Sequence, residues 1–158
     1  MDPKVVNYIF VPQCHEIKIV CDKDLVPIKA HEDDSGYDLK AAKDIVVHVQ
    51  RIVIVETSVH IEFPFSEDFI FEGQVRPRSG LAAKYGITVL NSAGTIDNSY
   101  RGEIKVILIN HGTDMFNIKR GDRIAQLVIA TIPRTKLCEV STLSDTIRGS
   151  GGFGSTGK

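Results

Sequence analysis

What this chain of 158 residues lacks already narrows its function. It has no excess of one charge: 19 Lys and Arg stand against 20 Asp and Glu, for a net of −1 and a pI near 6.5. A general binder of nucleic acid or of an anionic membrane needs a basic surplus to collect phosphates, so neither partner is expected. A local basic pocket for one small polyanion stays open. Long apolar runs are also missing, and nothing approaches the roughly 18–20 residues of a membrane span. Cysteine is sparse: Cys14, Cys21 and Cys138 are odd in number, with no CxxC pair and no zinc-knuckle spacing. They read as three small buried or half-buried thiols in a reducing compartment. Arginine is absent before Arg51, and Met1-Asp2-Pro3-Lys4 opens no positive and then apolar leader. The expectation is an intracellular, cytoplasmic protein, with a nuclear location left open.

Hydrophobic residues make up 42%, and the length favours one domain whose core needs no disulfide or metal to hold it. The apolar residues come in short β-branched runs: 17–20, 45–49, 52–55, 59–61, 105–109 and 124–129. Bounded by Gly, Pro, Asn and Asp, such runs read as strands, and no long helical pattern alternates with them. The fold class is therefore all-β, a sandwich or closed barrel. One segment differs. Ser79-Gly-Leu-Ala-Ala-Lys-Tyr-Gly86 predicts a single short helix with Ser79 as its cap and Gly86 past its end. The acidic, Phe-rich stretch 62–71 reads as a loop whose aromatics pack on the core.

The last eleven residues, 148–158, contain five glycines and set one Arg and one Phe among small residues. So little apolar surface predicts a flexible arm appended to a single β-domain of residues 1–147. Its Gly152-Phe-Gly-Ser-Thr-Gly-Lys158 imitates a P-loop, but no strand precedes it and neither a Ser/Thr nor a helix follows. Backbone amides of such a segment can still wrap a phosphate. Arg76-Pro-Arg78-Ser79-Gly80 puts two arginines beside a helix start, where anions are favoured; spacing alone leaves phosphate binding and a plain solvated cap equally open. Gly94 to Glu103 reads as a hairpin turning at Asp97, Asn98 and Ser99. Asp97 could deprotonate a water or simply bond its own backbone. Asp33, Asp34 and Asp38 could attract a hard cation or form an acidic turn. The five histidines form no ligand pattern.

Five segments in order resemble the motifs of the trimeric dUTP pyrophosphatases (dUTPases). They are Ser35-Gly-Tyr-Asp-Leu-Lys-Ala-Ala42, Arg76-Pro-Arg-Ser-Gly-Leu81, Gly94-Thr-Ile-Asp-Asn-Ser-Tyr-Arg-Gly-Glu-Ile104, Gly121-Asp-Arg-Ile-Ala-Gln-Leu127 and the tail from Arg148 to Gly157. The resemblance implies a jelly-roll-like subunit and a homotrimer with three sites built between chains. The first, second and fourth motifs would come from one chain, the third from a second and the tail from a third, closing as a lid. The implied reaction is hydrolysis of dUTP to dUMP and pyrophosphate.

Residue by residue, Asp97 matches the carboxylate that activates a water for attack on the α-phosphorus, and Gln126 the group that helps fix that water. Arg78, Ser79 and Gly80 match the phosphate clamp. Asn91 and the backbone around Gly94 and Ile96 match the uracil-reading groups. Tyr100 matches the ring under the deoxyribose, where a ribose 2′-hydroxyl would collide. Phe153 and Gly154 would cover uracil, while Arg148, Ser155 and Thr156 would bind the γ-phosphate. Mg2+ would sit on the triphosphate, with Asp38 reaching it through a water. The rival dCTP deaminases carry Trp where this chain has Tyr100, and a catalytic Glu where counting on from Asp97 gives Ile107. A non-catalytic uridine-nucleotide-binding module is the alternative from another class.

Overall fold

The computed structural model describes residues 15–152, and Cys14, Phe153, Gly154, Ser155 and Thr156 lie outside them. The chain runs β1 (Lys18–Val20), β2 (Gly36–Lys40), β3 (Ile45–Val47), β4 (Ile52–Glu56), β5 (His60–Glu62) and β6 (Phe69–Arg76). Then come α1 (Ser79–Tyr85), β7 (Ile87–Val89), β8 (Gly94–Ile96), β9 (Lys105–Asn110), β10 (Phe116–Ile118) and β11 (Arg123–Pro133). These strands form four small antiparallel sheets, ordered β2-β11-β6-β8, β4-β9-β7, β1-β5 and β10-β3. The all-β, jelly-roll-like expectation holds.

Alternation along the strands builds the core. Phe71, Gly73 and Val75 of β6 point inward while their neighbours are half-exposed, and Val106, Leu108 and Asn110 of β9 do the same. Phe71, Val75, Val106 and Leu108 meet Leu39, Val55, Ile87, Val89, Ile118, Ile124 and Leu127 in one cluster. Burial of these side chains, at about 1.5–3 kcal/mol each, is the main force holding the sheets together. Asn110 is fully buried but satisfied: Nδ2 donates to the carbonyls of Val47 and Asp114 at 2.9 and 2.8 Å, and Oδ1 accepts from the Gly112 amide at 2.8 Å.

Several local readings change. Helix α1 begins at Ser79, but the cap position belongs to Arg78, whose extended backbone (φ −89°, ψ 124°) lets its carbonyl accept from Leu81 and Ala82. Ser79 is already helical and makes no capping bond. At the other end, Gly86 takes the left-handed conformation at φ 68°, as expected of the residue that stops a helix. Of the 62–71 stretch only 63–68 is a loop, because Glu62 ends β5 and Phe69 opens β6; Phe63 and Phe71 are buried, whereas Phe65 is exposed. The Asp97–Tyr100 turn exists, with the Tyr100 amide donating to the Asp97 carbonyl at 3.0 Å, but its arms make no hairpin. Strand β8 pairs with β6, and β9 pairs with β4 and β7. Cys21 is half-buried, as expected, and burial followed by the charge of Asp22 pushes its thiol up. Cys138 is exposed instead, because after β11 residues 134–152 form no further strand. No helix among the described residues is long and apolar enough to cross a membrane.

Candidate active site

Strand β11 is the axis of the first half of the site. It lies between β2 and β6, so Gln126 stands opposite Asp38 on one side and Arg76 on the other. A register shift between Arg123 and Ala125 bulges β11 at its start, the kind of kink that re-aims a side chain. Arg123 reaches back across the bulge, and its Nη1 pairs with Asp38 Oδ2 at 3.0 Å. From the start of α1, Arg78 Nε pairs with Asp38 Oδ1 at 3.1 Å, and Arg78 Nη1 donates to the Arg123 carbonyl at 3.0 Å. Asp38, with its side chain only 15% exposed, thus holds two guanidinium groups together. Their remaining N–H donors border a polar hollow of about 300 Å³, lined also by Asp34, Gly36, Ser79, Gly80 and Gln126. Gln126 is pinned in it by donation from Nε2 to the Pro77 carbonyl at 2.9 Å.

A second hollow, about 370 Å³, is lined by Thr95, Ile96, Asp97, Tyr100, Glu103 and Lys105. Asp97 is exposed at the end of β8, beside the turn that carries Tyr100. Tyr100 Oη donates to the Glu103 carbonyl at 3.0 Å. The Lys105 ammonium is held above its ordinary range by its hydrogen bond to Glu56, with Glu103 contributing from 3.6 Å. Asn91 comes before β8, its Nδ2 lying 3.0 Å from where a Cβ on Gly94 would sit. No residue lines both hollows.

The pattern of the dUTPase family matches residues 23–157. That span covers most of the chain. The chain belongs to the dUTPase family. The deoxyuridine 5'-triphosphate nucleotidohydrolase of Crocosphaera subtropica is 51% identical over 144 residues, covering 90% of this chain and 99% of the relative. That of Gloeothece citriformis is 53% identical over 133 residues, covering 84% and 89%. Among solved structures, the dUTPase of Staphylococcus bacteriophage 80alpha with dUPNHPP superposes with a TM-score of 0.79 at 25% identity, covering 90% and 99%.

In this dUTPase chain the residues named from sequence therefore fall into two groups. Asp38, Arg78, Ser79, Gly80 and Gln126 share the first hollow; Ile96, Asp97 and Tyr100 share the second. Arg148 lines neither and bonds within its own turn, Nε to the Gly151 carbonyl at 3.0 Å. Arg76 lines neither hollow, its Nε donating to Gln74 Oε1 at 3.1 Å. Two residues went unassigned in the sequence. Arg123 stood inside the fourth motif with a readable signal, a guanidinium immediately before the apolar strand run 124–129. Gly36 gave none, because its importance is spatial. Ile107, the position where a dCTP deaminase carries its Glu, is a half-buried residue of β9.

Proposed function

We propose that the chain hydrolyses dUTP to dUMP and pyrophosphate inside the cell, in active sites shared between the subunits of a homotrimer. The observation that carries this reading is the division of the site: Gln126 and the guanidinium pair line one hollow, Asp97 and Tyr100 another. A nucleotide triphosphate needs both at once, which apposition of two copies supplies.

In the reading we favour, Asp97 takes the proton of a water as that water attacks the α-phosphorus, and Gln126 holds the water in line. Arg78, Ser79 and Gly80 bind the phosphates and stabilise the charge that develops on the departing pyrophosphate. Arg123 acts with them by keeping Arg78 and Asp38 in place. Asn91 and the backbone from Gly94 to Ile96 read the uracil edge, and Tyr100 lies under the deoxyribose. Residues 148–158 act as an arm from a third subunit. Arg148, Ser155 and Thr156 reach the γ-phosphate, while Phe153 and Gly154 cover the base.

The donor set fits a magnesium ion carried by the substrate rather than caged by protein. No group of three His, Cys, Asp or Glu side chains that could hold a metal exists among the described residues, and both oxygens of Asp38 are already engaged by guanidinium groups. When bound, Mg2+ supplies neutralisation of the triphosphate oxygens; Asp38, with Asp34 lining the same hollow, offers it outer carboxylates.

Pyrophosphate release from dUTP with magnesium, run beside dCTP, dTTP and UTP, tests the reading. Turnover of dUTP alone is the expected outcome. Tight dUTP binding without turnover would instead favour a uridine-nucleotide-binding module.

A further inference from the structure

We propose that Gly102 and Glu103 form a seat for the Tyr100 ring, and that this seat sets the preference for a deoxyribose over a ribose nucleotide. The proposal rests on the reading in which Tyr100 meets the sugar. Tyr100 is 43% exposed and projects from a turn, so burial in the core does not fix where its ring lies. Two contacts do. The ring lies across Gly102: a Cβ built there would meet Tyr100 Cζ at 2.6 Å and Cε2 at 2.9 Å, and would come closer still to Oη. The ring also ends on the main chain of the next residue, with Oη donating to the Glu103 carbonyl at 3.0 Å.

Glu103 is in turn tied to the body of the domain. Its Oε1 accepts from the amides of Thr57 and Ser58 at 3.0 and 2.8 Å, and the fully buried Thr57 donates Oγ1 to the neighbouring Ile104 carbonyl at 2.5 Å. The connection between β4 and β5, with Thr57 buried and Ser58 half-buried, thereby fixes the carbonyl that holds the tyrosine. A ring fixed in this way cannot yield to an added 2′-hydroxyl, whereas a loose one can. Gly102 and Glu103 are positioning residues: they act through Tyr100.

The geometry makes the test selective. Gly102 has no left-handed φ, so an alanine there suits the backbone, and the three atoms nearest its methyl group all belong to the Tyr100 side chain. The experiment measures kcat/KM for dUTP and for UTP on the same sample of full-length Gly102→Ala, Glu103→Ala and Glu103→Gln. The ratio cancels any difference in active fraction, so a merely structural effect leaves it unmoved. Gly102→Ala should lower the ratio about tenfold or more, while kcat for dUTP stays within about threefold. Glu103→Ala should lower it as well, and Glu103→Gln should rescue it, because an amide oxygen still accepts from Thr57 and Ser58. Should Gly102→Ala fail to fold, the Glu103 pair decides alone. A wild-type ratio in Gly102→Ala and Glu103→Ala overturns the seat. A wild-type enzyme that turns over UTP as well as dUTP overturns the Tyr100 reading beneath it. No dUTP turnover by the wild type overturns the function itself.

Discussion

Replacing Gly36 by alanine tests both the packing of the phosphate hollow and the role assigned to Gln126. A Cβ on Gly36 would stand 2.5 Å from Gln126 Oε1, 3.1 Å from its Cβ and 3.3 Å from its Cδ. To regain ordinary contact at 3.4 Å the carboxamide must retreat by about 0.9 Å. Gln126 is half-buried between β2 and β6 and cannot retreat while Nε2 keeps its 2.9 Å bond to the Pro77 carbonyl. Losing that bond costs about 1 kcal/mol, and the added methyl about 1–3 kcal/mol in over-packing. For a chain of this size the thermal midpoint should fall by about 5–10 °C. The chemical consequence should be larger. A group that aligns a water loses about 100-fold in rate when misplaced by about 1 Å, so kcat for dUTP should drop by that order while KM changes little. Thermal unfolding by circular dichroism and steady-state pyrophosphate release give the two readings. A lowered midpoint with kcat unchanged would remove Gln126 from the mechanism. No change in either would refute the packing argument.

Asp97→Asn should bind a non-hydrolysable dUTP analogue with near-normal affinity yet lose turnover, because the base is gone and the phosphate clamp is intact; calorimetry beside a kinetic assay checks this, and retained kcat would reassign the base. Deleting residues 148–158 should leave a folded trimer of low activity by light scattering and turnover, whereas full activity or unfolding would contradict the lid. Acid should act through exposed pairs: the Asp44 carboxyl is held below its ordinary 3.8 by the Lys119 side chain and the Arg120 amide, and Glu56 and Glu62 below 4.5 by Lys43 and Lys18. Lowered folded values mean that this stabilisation is complete above the ordinary values and is lost as pH falls below them. Asp44→Asn should therefore flatten the fall of the thermal midpoint below about pH 4, and an unchanged slope would count against the pair.

The strands visible in the sequence are those with β-branched runs: in β9 and the first half of β11 burial and β-propensity coincide, whereas β4 shows by β-propensity alone, with Ile52 and Ile54 exposed and only Val55 buried. Strands β2, β6, β7 and β10 were not visible. They are three to eight residues long and carry Gly, Asp, Asn or Thr, so tertiary pairing, not composition, makes them strands. The supposed hairpin shows the same limit: turn residues report that the chain reverses, but not that β8 goes to β6 while β9 goes to β4 and β7. Arg123 and Asp38 are 85 residues apart, and their pairing exists only once the bulged β11 lies beside β2. Cys138 was misread because a small thiol says nothing about whether its segment rejoins a sheet.

One physical device recurs in both hollows. In each, a chemistry-bearing side chain occupies the space a Cβ on a glycine would take: Gln126 at Gly36, Tyr100 at Gly102. Neither glycine has a left-handed φ, so neither is required by the turn of its chain. Each is required by what rests on it. Motif glycines of this kind look like backbone punctuation in a sequence, and their demand is revealed only by the neighbour that a methyl group would strike. That distinction has a consequence for mutation. A glycine needed for φ fails by unfolding its turn, whereas Gly36 and Gly102 should fail by moving one side chain, leaving the barrel standing and the chemistry or the specificity altered.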